Sequence, residues 1–312
     1  MLSCANNITS SNNNGDEVWH PLTEEEKYGI DVSLPYEELK QEIKEKLKAY
    51  FEETGSYRII LTGTPKEYIF SLSDDYADTV GVALKNALAE MDIKNITIDV
   101  DLRYINFING TLPEYMFNAY DPEKNDYFSV FYNFIFPENK ITTIKKDAFS
   151  YNQSIKEIVI PDSVTTIEFA TFYDCDRLEK ISLGKGIKRI DEKSIFVGGC
   201  KVLKEIDTSR SPLEYIGKYA FYVLPALTEF AIPASVKEIA AFAFDDCENL
   251  TTIIYYGDSP NMIKFPPNES IFWYCLEIKN LIIPNAIDPY DDGWKTFGNA
   301  NFTYVGREKP KQ

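Results

Sequence analysis

The chain has 312 residues, of which 44% are apolar and 14% aromatic, enough to bury a sizeable core in one large domain or two ordinary ones. A formal net charge of −17 argues against nucleic acid, polyanions and anionic lipid as main partners, because each is held by a basic patch. The single histidine, His20, excludes most hydrolytic designs, and five cysteines with no C-x-x-C pair imply neither a disulfide framework nor a zinc site.

Residues 1–33 read as a disordered tether. Asn6, Asn7, Ser10, Ser11, Asn12, Asn13 and Asn14 form a polar run that cannot bury enough apolar surface to offset its ordering entropy. From Ser33 to about Thr54 the pattern predicts a helix, with Leu39, Ile43, Leu47 and Phe51 on one face, Pro35 in its first turn and Gly55 ending it. Arg58 to Leu61 then reads as a buried strand. A second helix is predicted from about Asp75 to Met91, with Val80, Leu84, Ala87 and Leu88 inward, and Ile96 to Val100 is the next strand. Strand, helix, strand at this spacing is a βαβ unit with parallel strands and a right-handed crossover. Residues 34–110 are therefore expected to cap the domain that begins after them.

From residue 111 a frame recurs. Phe149 and Phe172 stand 23 positions apart, as do Phe221 and Phe244, with Phe196 between the pairs and Phe272 after them. Ile lies five before most of these aromatics, Ala or Thr one before, and Cys often three after. A strand then follows, ending in Pro137, Pro161, Pro233 or Pro284. The Phe196 unit departs, with Asp191 where Ile is expected. A period of about 20–30 residues marks a solenoid, in which each unit buries its apolar side only against its neighbours. Residues 111–312 are thus one repeat domain, closed by a turn at 288–299, a strand at Phe302 to Val305 and a basic tail.

The repeat slots have structural readings. The Ile-x-Ile pairs face inward from strands of period 2, and the phenylalanines should stack in one internal column. Cys175, Cys247 and Cys275, with Cys200 close to the same slot, share it with Asn152 and Leu224, which reads as a small packing position holding inert thiols. Binding must then come from outward residues: Ile135, Val159, Ser182, Asp207, Ala231, Ile254 and Ile282, and two steps earlier Asn133, Glu157, Lys180, Glu205, Glu229, Thr252 and Asn280. This face has apolar ends and an acidic middle of Glu205, Asp207 and Glu229. Either its β-branched residues simply suit an exposed strand, or it is a contact surface centred on Ile254, Tyr256 and Ile282, with Trp273 nearby.

Candidate chemistry is thin. A triad would need His20, which lies in the expected tether. The pairs Asp74/Asp75, Asp245/Asp246 and Asp291/Asp292 fall in turns, whereas a glycosidase needs two carboxyls fixed in a cleft. The loops 121–126 and 288–292 offer oxygen ligands for calcium but match no EF-hand, and no phosphate-binding loop is present. No cofactor and no metal is expected, and the chain reads as non-enzymatic.

The frame is carried by Leu227, Phe230, Ile232, Pro233, Val236, Ile239, Ala243, Phe244 and Cys247. It resembles the BspA-like class of leucine-rich repeats over roughly residues 111–284. The resemblance implies an α/β leucine-rich repeat solenoid whose parallel sheet lines a concave face, preceded here by the βαβ cap. It further implies a surface or secreted protein that adheres, without catalysis, to a protein or glycan on a host or neighbouring cell. The alternative is a structural spacer in a surface complex with no ligand of its own. Leu2, Ser3 and Cys4 before a polar linker resemble the end of a bacterial lipoprotein signal, which makes Cys4 either a lipid attachment point or an ordinary thiol.

Overall fold

The computed structural model describes residues 7–11, 17–68, 78–120, 129–192 and 200–310. Cys4, the 121–126 loop, the Asp74/Asp75 pair and Phe196 lie outside them. The expected tether is corrected by a capping box formed by Thr23 and Glu26. The Thr23 hydroxyl accepts from the Glu26 amide at 3.2 Å, and the Thr23 amide donates to the Glu26 carboxylate at 2.8 Å. That box starts a helix, Glu24–Tyr28, which runs straight into a strand, Gly29–Asp31. Asn7–Ser11 also pairs antiparallel with Glu17–Pro21, the strand that contains His20. The Asn/Ser composition masked the Thr-x-x-Glu signature that ends the polar stretch.

The long helix spans Tyr36–Thr54 and ends on Gly55, whose φ of 72° suits a residue without Cβ. Leu39, Ile43 and Leu47 are buried as expected, but Phe51 is exposed and Tyr50 is buried in its place. A step of four residues overshoots the helical repeat by about 40°, so by the fourth apolar residue the stripe has rotated off the core. Phe51 instead stacks on Tyr57 at 4.4 Å.

Four parallel strands make the cap sheet, in the order Gly29–Asp31, Arg58–Gly63, Ile96–Ile105, Val130–Ile135. The last was expected among the repeat strands, the one that ends in Pro137; it serves cap and repeats alike, since the Tyr132 amide donates to the Ser154 carbonyl at 2.7 Å and the strand abuts Glu157–Val159. Helix Val80–Glu90 ties the cap to the first repeat turn. Its Gly81 amide donates to Met116 at 3.1 Å and the Thr79 hydroxyl to Asn118 at 2.6 Å. A Cβ on Gly81 would lie 2.3 Å from the Asn118 carbonyl oxygen, so only glycine permits this approach. Within the cap sheet, the buried Asp101 accepts from Arg58 at 2.5 Å and from the Arg103 guanidinium at 2.8 Å.

The repeats stack as expected. One set of ladders is Glu157–Val159, Lys180–Ser182 and Glu205–Asp207; the next is Glu229–Ile232, Thr252–Tyr255, Asn280–Ile282 and Tyr304–Gly306, all parallel and in register. A second series lines the opposite side: Thr111–Leu112, Thr143–Ile144 and Thr166–Ile167, then Arg189–Ile190, Tyr215–Ile216 and Glu238–Ile239. These are the slots read as Ile five before each Phe. In the irregular unit Ile190 pairs with Ile216, so Ile190 fills the slot and Asp191 stands next to Gly217, one position on, which corrects the expected substitution.

The phenylalanines form an internal file. Phe149 stacks on Phe172 at 5.3 Å, Phe221 on Phe244 at 5.0 Å and Phe244 on Phe272 at 5.5 Å. Phe117, from the degenerate first unit, extends the file on Phe149 at 5.3 Å. Offset stacks of this kind add about 0.5–1.5 kcal/mol per pair to the burial itself. One continuous core runs from Ile30 in the cap to Ala300, so cap and repeats share their interior. Among the described residues no helix is long and apolar enough to cross a membrane.

Candidate binding face

Strand alternation places the expected outward residues on one side of the long ladder, because Ile158, Ile181, Ile206, Phe230, Ile253 and Leu281 are all buried between them. Two concavities lie along this side. The first, about 460 Å³, is lined by Phe134, Phe136, Val159, Asp162 and Arg210. Val159 is 54% exposed there. Asp162 is held by Lys185 at 2.9 Å and by Arg210 at 2.6 Å, and Arg210 reaches it across the intervening repeat.

The second, about 510 Å³, is lined by Lys204, Glu205, Asp207, Ser209, Glu229 and Tyr256. Four of the expected contact residues therefore converge: Glu205, Asp207, Glu229 and the 44% exposed Tyr256. Ile254, half-buried, continues the row beyond Ala231, with which it is paired in the ladder. Each carboxylate is engaged. Lys180, opposite Glu205 in register, meets it at 2.6 Å, and Lys309 meets Glu229 at 2.7 Å. Asp207 accepts the Ser209 amide at 2.9 Å, and hydrogen bonds from Ser209 hold its carboxyl below the usual carboxylate range. Lys204 leans away to Glu179.

Two expected members are not part of this surface. Ile282 is only 4% exposed: its neighbour on the far side is Gly306, and the Tyr304 ring lies over that glycine. Trp273 is 48% exposed but belongs to the turn that carries Phe272, where its ring partners are Phe242 at 5.7 Å and Tyr274 at 5.7 Å. Ser182 and Thr252, also expected outward, are buried. Sequence reading missed Ser209, Arg210 and Lys309 as participants. Repeat alignment could have matched Lys180 with Glu205, whereas nothing local pointed Lys309 to Glu229, 80 positions earlier.

A general acid needs a raised pKa, and Asp207 is shifted the other way. Among the described residues no three His, Cys, Asp or Glu side chains gather as a metal site. The carboxylates of the 288–292 turn are spent locally: Asp288 accepts the Tyr290 amide at 2.8 Å, Asp291 the Gly293 amide at 2.7 Å, and Asp292 pairs with Lys295 at 2.7 Å.

Comparison with known proteins gives a family match over residues 127–251 and 214–301, in six copies, to the BspA type leucine rich repeat region. Three solved structures are similar in fold. A leucine-rich repeat protein from Bacteroides ovatus is 16% identical, with 78% of this chain and 70% of that one covered and a TM-score of 0.37. A leucine rich cell surface protein from Faecalibacterium prausnitzii is 13% identical, with coverage of 78% and 93% and a TM-score of 0.31. The pneumococcal vaccine antigen PcpA is 15% identical, with coverage of 70% and 56% and a TM-score of 0.40. At these values the structures add nothing to the family match. No curated protein matches the chain.

Proposed function

The chain belongs to the BspA-type leucine-rich repeat family, and from that membership and the outward sheet we propose that it is a non-enzymatic binding protein displayed at a cell surface. The sheet face between Glu205 and Tyr256 takes a protein or glycan of a host or neighbouring cell. The observation that carries the reading is the convergence of Glu205, Asp207, Glu229 and a largely open Tyr256 around one concavity of about 510 Å³. An aromatic with a polar tip beside fixed acceptors is the kind of side chain that dominates binding surfaces. Attachment to a membrane through a lipid on Cys4 is part of the same proposal, and mass spectrometry of the chain from its native membrane tests it.

The binding face is tested with Ile254→Glu and Tyr256→Glu, singly and together. Both side chains reach the outward side, so the folded chain should persist with an unchanged thermal midpoint. Adhesion of beads coated with the chain to cultured epithelial cells and to immobilised matrix proteins or glycans should fall at least tenfold. Unchanged adhesion with intact folding would overturn this face as the contact surface and leave the spacer role.

A further inference from the structure

Beyond the strand Tyr304–Gly306 the chain doubles back. That strand is outermost of four, after Glu229–Ile232, Thr252–Tyr255 and Asn280–Ile282. Only three residues past Gly306, the Lys309 ammonium lies 2.7 Å from the Glu229 carboxylate on the farthest strand. Neighbouring strands are about 4.8 Å apart, so the span is roughly 14 Å, and residues 307–309 must cross it on the outward side. Two further bonds shape the return. The Tyr304 hydroxyl donates to the Glu308 carbonyl at 2.9 Å, and Arg307 donates to the Ala286 carbonyl at 2.7 Å. Gly306 permits this, since a Cβ there would meet the Tyr304 hydroxyl at 2.6 Å. On this half of the sheet Ile254 is half-buried, whereas Val159 at the other end is 54% exposed.

We propose that residues 307–310 are a strap over this half of the outward sheet, latched by Lys309 on Glu229, and that its release opens the surface around Ile254. The proposal rests on the reading of this face as the binding face and adds its regulation. The latch is a weak one. Its side chains are 61% and 38% exposed, and an exposed ion pair of that kind contributes little and is screened by salt. A ligand that gains from Ile254 can therefore displace it.

The test uses the full chain and the apolar dye 1-anilinonaphthalene-8-sulfonate. Lys309→Glu should raise dye binding roughly two- to five-fold, the population change that matches an exposed pair. The exchange Glu229→Lys with Lys309→Glu should return it to the starting level. Ile254→Glu in the Lys309→Glu background should abolish the gain, which locates the dye on this face. No gain with Lys309→Glu, a gain that the exchange does not reverse, or one indifferent to Ile254→Glu would each overturn the strap. These readouts are separate from adhesion: a moving strap with adhesion indifferent to Ile254 and Tyr256 loses the binding face and keeps the strap.

Discussion

The thiol of Cys175 donates to the backbone carbonyl of Phe149, one repeat earlier, at 3.1 Å. The same relation recurs from Cys200 to Phe172 at 3.3 Å, Cys247 to Phe221 at 3.2 Å and Cys275 to Phe244 at 2.8 Å. Asn152 makes it with its side-chain amide to Phe117 at 2.9 Å. Where it holds Cys or Asn the slot is therefore more than a small packing position. It supplies a donor to the carbonyl of the phenylalanine one repeat earlier, a buried group, whereas Leu224 fills the slot by packing alone.

Removing that donor should cost more than the lost volume. Cys175→Ala is expected to lower stability by about 1–3 kcal/mol, since it orphans a carbonyl and leaves a small void. Cys175→Asn, which restores a donor as Asn152 does, should recover part of the loss. Urea unfolding midpoints decide it, and an Asn variant no better than Ala would refute the donor role.

The four thiols should be chemically silent in the folded chain. Burial pushes Cys175 and Cys200 up, and Cys247 is raised by its hydrogen bond with Cys275 and by burial. Because the thiolate is the nucleophile, iodoacetamide at pH 8 should modify none of Cys175, Cys200, Cys247 and Cys275 until denaturant is added. Peptide mapping by mass spectrometry reads this directly, and rapid native labelling of any one would show that its repeat opens.

Asp101 should make the cap acid-sensitive. Burial would raise its pKa, but hydrogen bonds from the Arg103 side chain and backbone, and then from Arg58, outweigh it and hold the carboxyl below its usual value. A proton is therefore bound more weakly in the folded chain than in the unfolded one. The contribution is complete above the unfolded value of about 4 and is lost as pH falls through the lowered folded value. Asp101→Ala leaves Arg58 with Glu24 alone, at 3.4 Å, and the 44% exposed Arg103 without its partner, and should cost about 1.5–3 kcal/mol at neutral pH. The deficit should shrink in guanidinium melts near pH 3, and a deficit constant with pH would contradict the ionised cluster.

Gly81→Ala should loosen the joint between cap and repeats. The new Cβ meets backbone atoms, Asn118 oxygen at 2.3 Å and Phe117 oxygen at 2.6 Å, which cannot swing aside as a side chain could. A loss of about 1–3 kcal/mol is expected. Amide hydrogen exchange should quicken first at 80–90 and 116–118, and protection there equal to that of the parent chain would show that the helix shifts without strain.

What the sequence determined by itself was everything that repeats over a short distance. Period 2 put Ile158, Ile181 and Ile253 inside, and the 23-residue spacing put Phe149, Phe172, Phe221 and Phe244 in one file, because a buried slot imposes the same demand in every unit. Tertiary structure alone decided which outward residues remain open. Ile254 and Ile282 read identically in the chain, yet Ile282 is closed by Tyr304 and Gly306 while Tyr256 stays exposed next to carboxylates from two other repeats. The latch of Lys309 on Glu229 is likewise invisible to any local pattern. An inward position is set by its own strand, whereas an outward one depends on whatever distant segment crosses above it.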